Sequence, residues 1–157
     1  MALDVSRELG SQQLAAVPVC PRGHSWRQAS SPNYSLQAMA LGPLAARIVF
    51  GPRPDTSPAQ TPQFGQIAWL VVTKDELALV RLTKTRTGVT FHAYARVPMA
   101  ELQTFDLAHA RMIWPLTITL RDGDTWRLEI PRFSKKRARA AAVAVGSVAP
   151  GSIRPAG

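Results

Sequence analysis

The middle of the chain alternates between apolar and polar residues with a period of two, which is typical of strands that bury one face. The alternation is clearest over Val89–Val97 and Leu116–Leu120. Gln66–Thr73 is apolar on both faces and predicts a strand that is covered on both sides. Breaks at proline, glycine and polar turns define seven candidate strands: Leu44–Phe50, Gln66–Thr73, Glu76–Thr83, Val89–Val97, Glu101–Leu107, Leu116–Leu120 and Trp126–Ile130.

The last two candidate strands form a hairpin around Asp122-Gly123, and their face pattern predicts its register. Residues paired across two strands must share a face of the sheet. A two-residue loop would pair apolar residues with polar ones, whereas the three-residue loop Arg121–Gly123 pairs like with like. It also places Gly123 at a position that favours a left-handed residue. The predicted pairs are Trp114 with Ile130, Leu116 with Leu128, and Ile118 with Trp126.

The two ends of the chain carry less regular signals. Met1–Val17 is compatible with a short helix, after which prolines and glycines predict irregular chain. Near the other end, Ser134 is a candidate N-cap for a helix from Lys135 to about Val145, which Gly146 would end. The pattern predicts a loosely ordered segment over 1–40, one domain over 41–146 and a flexible tail over 147–157.

Seven short strands followed by one helix predict a mainly β domain, a partly open antiparallel barrel or sandwich capped by the C-terminal helix. Three stretches resemble bacterial pleckstrin-homology-like (PH-like) domains: Val72–Leu77, Val97–Leu102 and the hairpin Leu116–Ile130. The resemblance covers about residues 44–145. It implies a curved, partly open barrel plugged by the helix, in a non-catalytic domain that binds lipids, peptides or proteins.

Positive charge is concentrated near the C-terminal end. The 157 residues have a net charge of +9, of which residues 1–40 contribute +1, residues 41–131 contribute +2 and residues 132–157 contribute +6. The macrodipole disfavours cations at the start of a helix, so their presence there suggests an anionic partner, the alternative being a solvated face. Mainly Ala and Val follow, so we expect no apolar anchor beside the cations and a contact that is superficial and salt-sensitive. The candidate contact residues are Arg132, Lys135, Lys136, Arg137 and Arg139.

The sequence carries no recognisable motif for catalysis, a cofactor or a metal. Cys20 is the only cysteine and lies near His24, but a zinc site needs more ligands than this pair. His92 is interpreted as a surface histidine, and no nucleophile elbow or phosphate-binding glycine loop is present. We therefore predict a protein that is not an enzyme and that binds neither cofactor nor metal.

The predicted function is an interaction module that docks on an unknown protein partner or peripherally on an anionic lipid surface. The alternatives are a nucleic-acid-associated protein that uses the basic C-terminal segment, and an enzyme whose site is not recognisable from sequence. The nearly neutral body of the chain argues against nucleic acid. Ile67–Val72 is the longest strongly apolar run and is too short to span a membrane. Without a visible secretory signal, we expect a cytoplasmic protein, at the inner face of the membrane where it docks.

Overall fold

The computed structural model describes residues 4–24 and 67–154. Within these ranges, seven antiparallel strands form one open sheet in the order β4-β3-β2-β1-β7-β6-β5, and one long helix follows. The mainly β fold with a C-terminal helix is therefore as predicted. The elements are α1 (Ser6–Leu9), β1 (Gln13–Pro21), β2 (Ala68–Thr73), β3 (Glu76–Thr85), β4 (Gly88–Pro98), β5 (Leu102–Leu107), β6 (Ile113–Leu120), β7 (Thr125–Pro131) and α2 (Lys135–Val148).

The central strand β1 departs most from the sequence prediction. We expected a short helix up to Val17 and irregular chain from Pro18, but this segment pairs with β2 on one side and β7 on the other. The expectation gave too much weight to the prolines, which a strand tolerates where no ladder hydrogen bond from that nitrogen is needed. Inward-facing Val17 and Val19 are fully buried. The candidate strand Leu44–Phe50 and the predicted boundary at residues 40 and 41 lie outside the described residues.

Strand β2 is covered on both faces, as its sequence predicted. Leu70 and Val72 belong to the main core, which lies between the sheet and α2. Val71 points the other way and packs in a second cluster with Val5 and Leu9, the latter in α1. The short N-terminal helix thus covers the sheet face that is turned away from α2.

A β-bulge in β4 breaks the alternation that was predicted over Val89–Val97. Val80 pairs with Ala93 and Leu79 with Ala95, so Tyr94 is an extra residue in β4. A single extra residue reverses which face the following side chains occupy. Ala93 accordingly packs in the second cluster, whereas Ala95 packs against the main core. The prediction that all apolar residues of this strand share one face is wrong.

The final hairpin has the predicted register and the predicted loop. β6 and β7 pair through Trp114 and Ile130, Leu116 and Leu128, and Ile118 and Trp126. The N–H of Leu120 donates to the carbonyl oxygen of Asp124 at 2.8 Å, closing a loop of three residues. Gly123 has a φ of 97°, a left-handed conformation that favours glycine.

Helix α2 runs past its predicted end and packs on the main core through small residues. Its axis continues through Gly146 to Val148, because nothing at Gly146 requires a left-handed backbone and Pro150 is the first residue unable to continue the helix. Ser134 occupies the N-cap position, but its buried side chain makes no capping hydrogen bond. The buried helix residues are Ala138, Ala141, Ala144 and Val145.

The described part of the predicted flexible tail packs on the domain. Pro150–Ser152 forms a single 3₁₀ turn in which Ser152 is buried. Ile153 then forms a parallel bridge with Phe105 of β5. One edge of the sheet is therefore partly covered by the chain that follows α2, which limits unwanted pairing at that edge.

Candidate functional site

The basic residues singled out from sequence lie where the chain passes from β7 into α2. A 3₁₀ turn, Arg132–Ser134, joins the two elements, and buried Ser134 fixes the turn against the core. We call Arg132, Lys135, Lys136, Arg137 and Arg139 the basic cluster. Lys135 is half-buried, and the other four are exposed. The structure therefore brings all five cations to one corner of the molecule.

Three cations of the basic cluster lie over tryptophan rings. Lys135 Nζ and Arg139 Cζ are 5.1 and 5.3 Å from the centroid of Trp114, and Arg137 Cζ is 5.3 Å from that of Trp69. Each contact is worth roughly 0.5–1 kcal/mol at an exposed position. The macrodipole penalty for a cation in the first helical turn is a few tenths of a kcal/mol. The rings thus offset this penalty, and the position of these three cations does not by itself require an anionic partner.

The charge of the basic cluster is not neutralised by acidic side chains in the described part of the chain. Arg132 Nη1 lies 3.5 Å from the sulfur of Met112, which carries no charge. The ion pair between Arg96 and Glu76 includes no residue of the basic cluster. Contacts with tryptophan faces leave each cation its full positive charge. The corner is therefore strongly positive.

Phe133 is the site residue that sequence analysis missed. Its side chain is 85% exposed, more than any other large apolar side chain in the described ranges. It comes after the alternating residues of β7 and lies in the 3₁₀ turn before α2, a position for which the strand pattern makes no prediction. The expectation that no apolar anchor adjoins the cations is therefore wrong. An exposed aromatic ring therefore follows Arg132 directly in the chain and precedes Lys136 by three residues.

Cys20 and His24 do not form a metal site with other described residues. Among the residues the structure describes, no group of three or more His, Cys, Asp or Glu side chains is placed to hold a metal ion. Cys20 is buried opposite Glu129, whose carboxylate accepts a hydrogen bond from the Gly23 N–H at 3.1 Å. Burial, and secondarily the charge of Glu129, raises the pKa of the Cys20 thiol from 9.0 to about 11.

The raised pKa of Cys20 predicts that the thiol of the folded protein is alkylated slowly and that the protein loses stability at alkaline pH. At pH 9 a thiol with a pKa of 9.0 is about half thiolate, whereas a thiol with a pKa of 11 is about one-hundredth thiolate. Because the thiolate is the reactive form, iodoacetamide should react at least about fiftyfold more slowly with the folded protein than with the unfolded one. Because the folded state holds the proton more tightly, stability should fall as pH rises from 9 towards 11. Equal alkylation rates in the folded and unfolded protein would contradict the buried environment of Cys20.

His92 lies on the exposed side of β4, as expected for a surface histidine. Its ring meets that of Tyr94 edge-on, with the centroids 5.1 Å apart. Trp114 and Trp126 are buried, consistent with roles in packing. Trp114 therefore combines a packing role with its contacts to Lys135 and Arg139.

No model of a protein family matches the sequence, and no curated protein is similar to it. No helix within residues 4–24 and 67–154 is long and apolar enough to cross a membrane.

Proposed function

We propose that this protein is a non-catalytic PH-like interaction module that docks peripherally on an anionic membrane surface through the basic cluster and Phe133. The observation that carries the proposal is the 85% exposure of Phe133 within a group of cations. An aromatic ring gains by leaving water for the headgroup region, and cations gain by approaching anionic lipids. Both gains are available to this one corner of the molecule.

The expected attraction is enough for reversible docking. Each cation near an anionic bilayer is worth about 1 kcal/mol, and burial of a phenylalanine side chain is worth up to about 3 kcal/mol. The cations held over Trp69 and Trp114 keep their charge but have less freedom to reach the lipids. The sum is several kcal/mol, which supports a salt-sensitive contact rather than permanent anchoring.

The PH-like part of the proposal is supported by the order of the elements. β1 to β4 and β5 to β7 form two consecutive antiparallel meanders, and α2 packs across the main core after β7. Seven antiparallel strands followed by one helix are also the element order that the resemblance implies, with β1 lying outside the residues 44–145 that the resemblance covers. A fold alone does not define a ligand, so the choice of a membrane surface rests on Phe133 and the basic cluster. We propose that docking takes place at the cytoplasmic face of the membrane.

A side-by-side binding experiment tests the proposal. The full chain is mixed with vesicles of phosphatidylcholine, with vesicles that also contain phosphatidylglycerol, and with duplex DNA, each at low and high salt. We expect sedimentation with the anionic vesicles, weakened at high salt, and much less with the neutral ones. Absence of binding to anionic vesicles at low salt, or tighter binding to DNA than to those vesicles, would overturn membrane docking.

A further inference from the structure

A groove of about 530 Å³ lies at the opposite end of α2 from the basic cluster. The helix has 14 residues, so the two ends are about 20 Å apart. Four parts of the fold meet at the groove: the β2–β3 turn, the start of β5, the β6–β7 loop and the chain after α2. They contribute Lys74, Leu102, Arg121 and Gly151 respectively, among other lining residues.

The lining of this groove combines an apolar floor with a cationic rim. Met99 and Leu102 are buried and form the floor, whereas Lys74 and Arg121 are exposed at the rim. Among the described residues that line the groove there is no aspartate or glutamate. Within the described ranges, neither rim cation forms a side-chain hydrogen bond or ion pair. Two unneutralised positive charges therefore face the same opening.

The described acidic residues near the rim cations form no ion pair with them. The carboxylate of Asp122, the residue after Arg121, accepts a hydrogen bond from the Asp124 N–H at 2.8 Å. The carboxylate of Asp75, next to Lys74, accepts a hydrogen bond from the hydroxyl of Ser11. Glu101 lies beside Arg121, whose N–H donates to the Glu101 carbonyl oxygen at 2.9 Å, but the glutamate does not line the groove. Both rim cations thus remain available to a ligand.

The C-terminal end of α2 also borders the groove, and its partial negative charge repels an anion only weakly. A helix C-terminus is equivalent to roughly half a negative charge. Two carbonyl groups near this end already accept hydrogen bonds, Val145 from the Ala149 N–H and Ala144 from the Ser147 hydroxyl, each at 2.7 Å. Two full positive charges at the rim outweigh this partial charge.

We propose that the groove binds a small amphipathic anion, with an apolar body and one carboxylate or phosphate head group. The head group would lie between Lys74 and Arg121, and the body would pack on Met99 and Leu102. The volume of the groove falls within the range of about 300–1,000 Å³ typical of small-molecule sites. This site shares no residue with the basic cluster and does not depend on membrane docking.

Methyl NMR on the full chain tests the proposal, with decanoate and decyl phosphate as probes below their micelle concentrations. At least one probe should shift the Met99 methyl signal and leave Leu128 unchanged, with a Kd of about 0.1–1 mM. Replacing both rim cations, Lys74→Gln with Arg121→Gln, should weaken binding about tenfold. The matched control, Lys84→Gln with Arg86→Gln on the β3–β4 hairpin, makes the same change in net charge outside both the groove and the basic cluster and should bind normally.

Uncharged decanol distinguishes a site that recognises an anionic head group from a surface that binds any apolar molecule. It should bind at least about tenfold more weakly than the better anionic probe, because it lacks the head group that the rim cations recognise. An unmoved Met99 signal with both anionic probes would overturn the proposal. Equal binding of decanol, or no loss of affinity in the rim variant whose thermal unfolding is normal, would also overturn it.

Discussion

Leu128→Ala should lower the free energy of unfolding by about 2–5 kcal/mol, the range for large-to-small changes in a closed core. Leu128 is fully buried in β7 and pairs with Leu116 on one side and Pro21 on the other. The hydrogen-bonded ladders on both sides hold the backbone in place, so the surroundings cannot collapse into the space left by the side chain. Urea denaturation, with the midpoint and slope compared between variant and parent, measures the loss.

Thr119→Ala is the matched control for Leu128→Ala. Thr119 lies in the same hairpin, faces outward and is half-buried opposite Thr125. Its replacement should cost under about 1 kcal/mol. Thr117 is a poorer control because its hydroxyl accepts a hydrogen bond from Arg22 Nη2 at 3.1 Å. Equal losses for Leu128→Ala and Thr119→Ala would contradict the hairpin register.

Replacing three cations of the basic cluster by glutamine should reduce binding to anionic vesicles about a hundredfold. The variant combines Lys135→Gln, Lys136→Gln and Arg137→Gln, and each cation contributes about 1 kcal/mol near anionic lipid. Two of the three also lose a tryptophan contact, so thermal unfolding should show a small destabilisation rather than a gain. Vesicle sedimentation at low salt measures the loss of binding.

A second triple variant separates a local contact from the effect of net charge. This variant removes the same number of positive charges, three, from exposed positions on the β3–β4 hairpin: Arg81→Gln, Lys84→Gln and Arg86→Gln. This variant should bind anionic vesicles nearly as well as the parent. Equal losses in the two triple variants would show that attraction depends on total charge and would contradict a contact centred on the basic cluster.

The sequence contained enough information for most of the sheet because its strands have local patterns. Period-two alternation located β6 and β7, and the shared face of paired residues determined the register around Gly123. β1 was missed because Pro18 and Pro21 interrupt a pattern in which Val17 and Val19 face the core. The bulge at Tyr94 was missed because it depends on how β3 and β4 pair, which local alternation does not encode.

The candidate site was only partly predictable from sequence. The basic cluster is contiguous along the chain, so composition alone was enough to find it. Its tryptophan contacts were not predictable, because Trp69 and Trp114 come from β2 and β6 and meet the cations only in the folded sheet. The exposure of Phe133 depends on the 3₁₀ turn between β7 and α2, and the alternation in β7 does not predict that turn.

The most direct test of membrane docking compares the parent with Phe133→Ala and Phe133→Trp on anionic vesicles. Because the ring is 85% exposed in the free protein, neither substitution should change thermal stability appreciably. Loss of the inserted ring should weaken vesicle binding about tenfold in Phe133→Ala, whereas Phe133→Trp should bind at least as tightly as the parent. Equal vesicle affinities for all three proteins would contradict docking through Phe133.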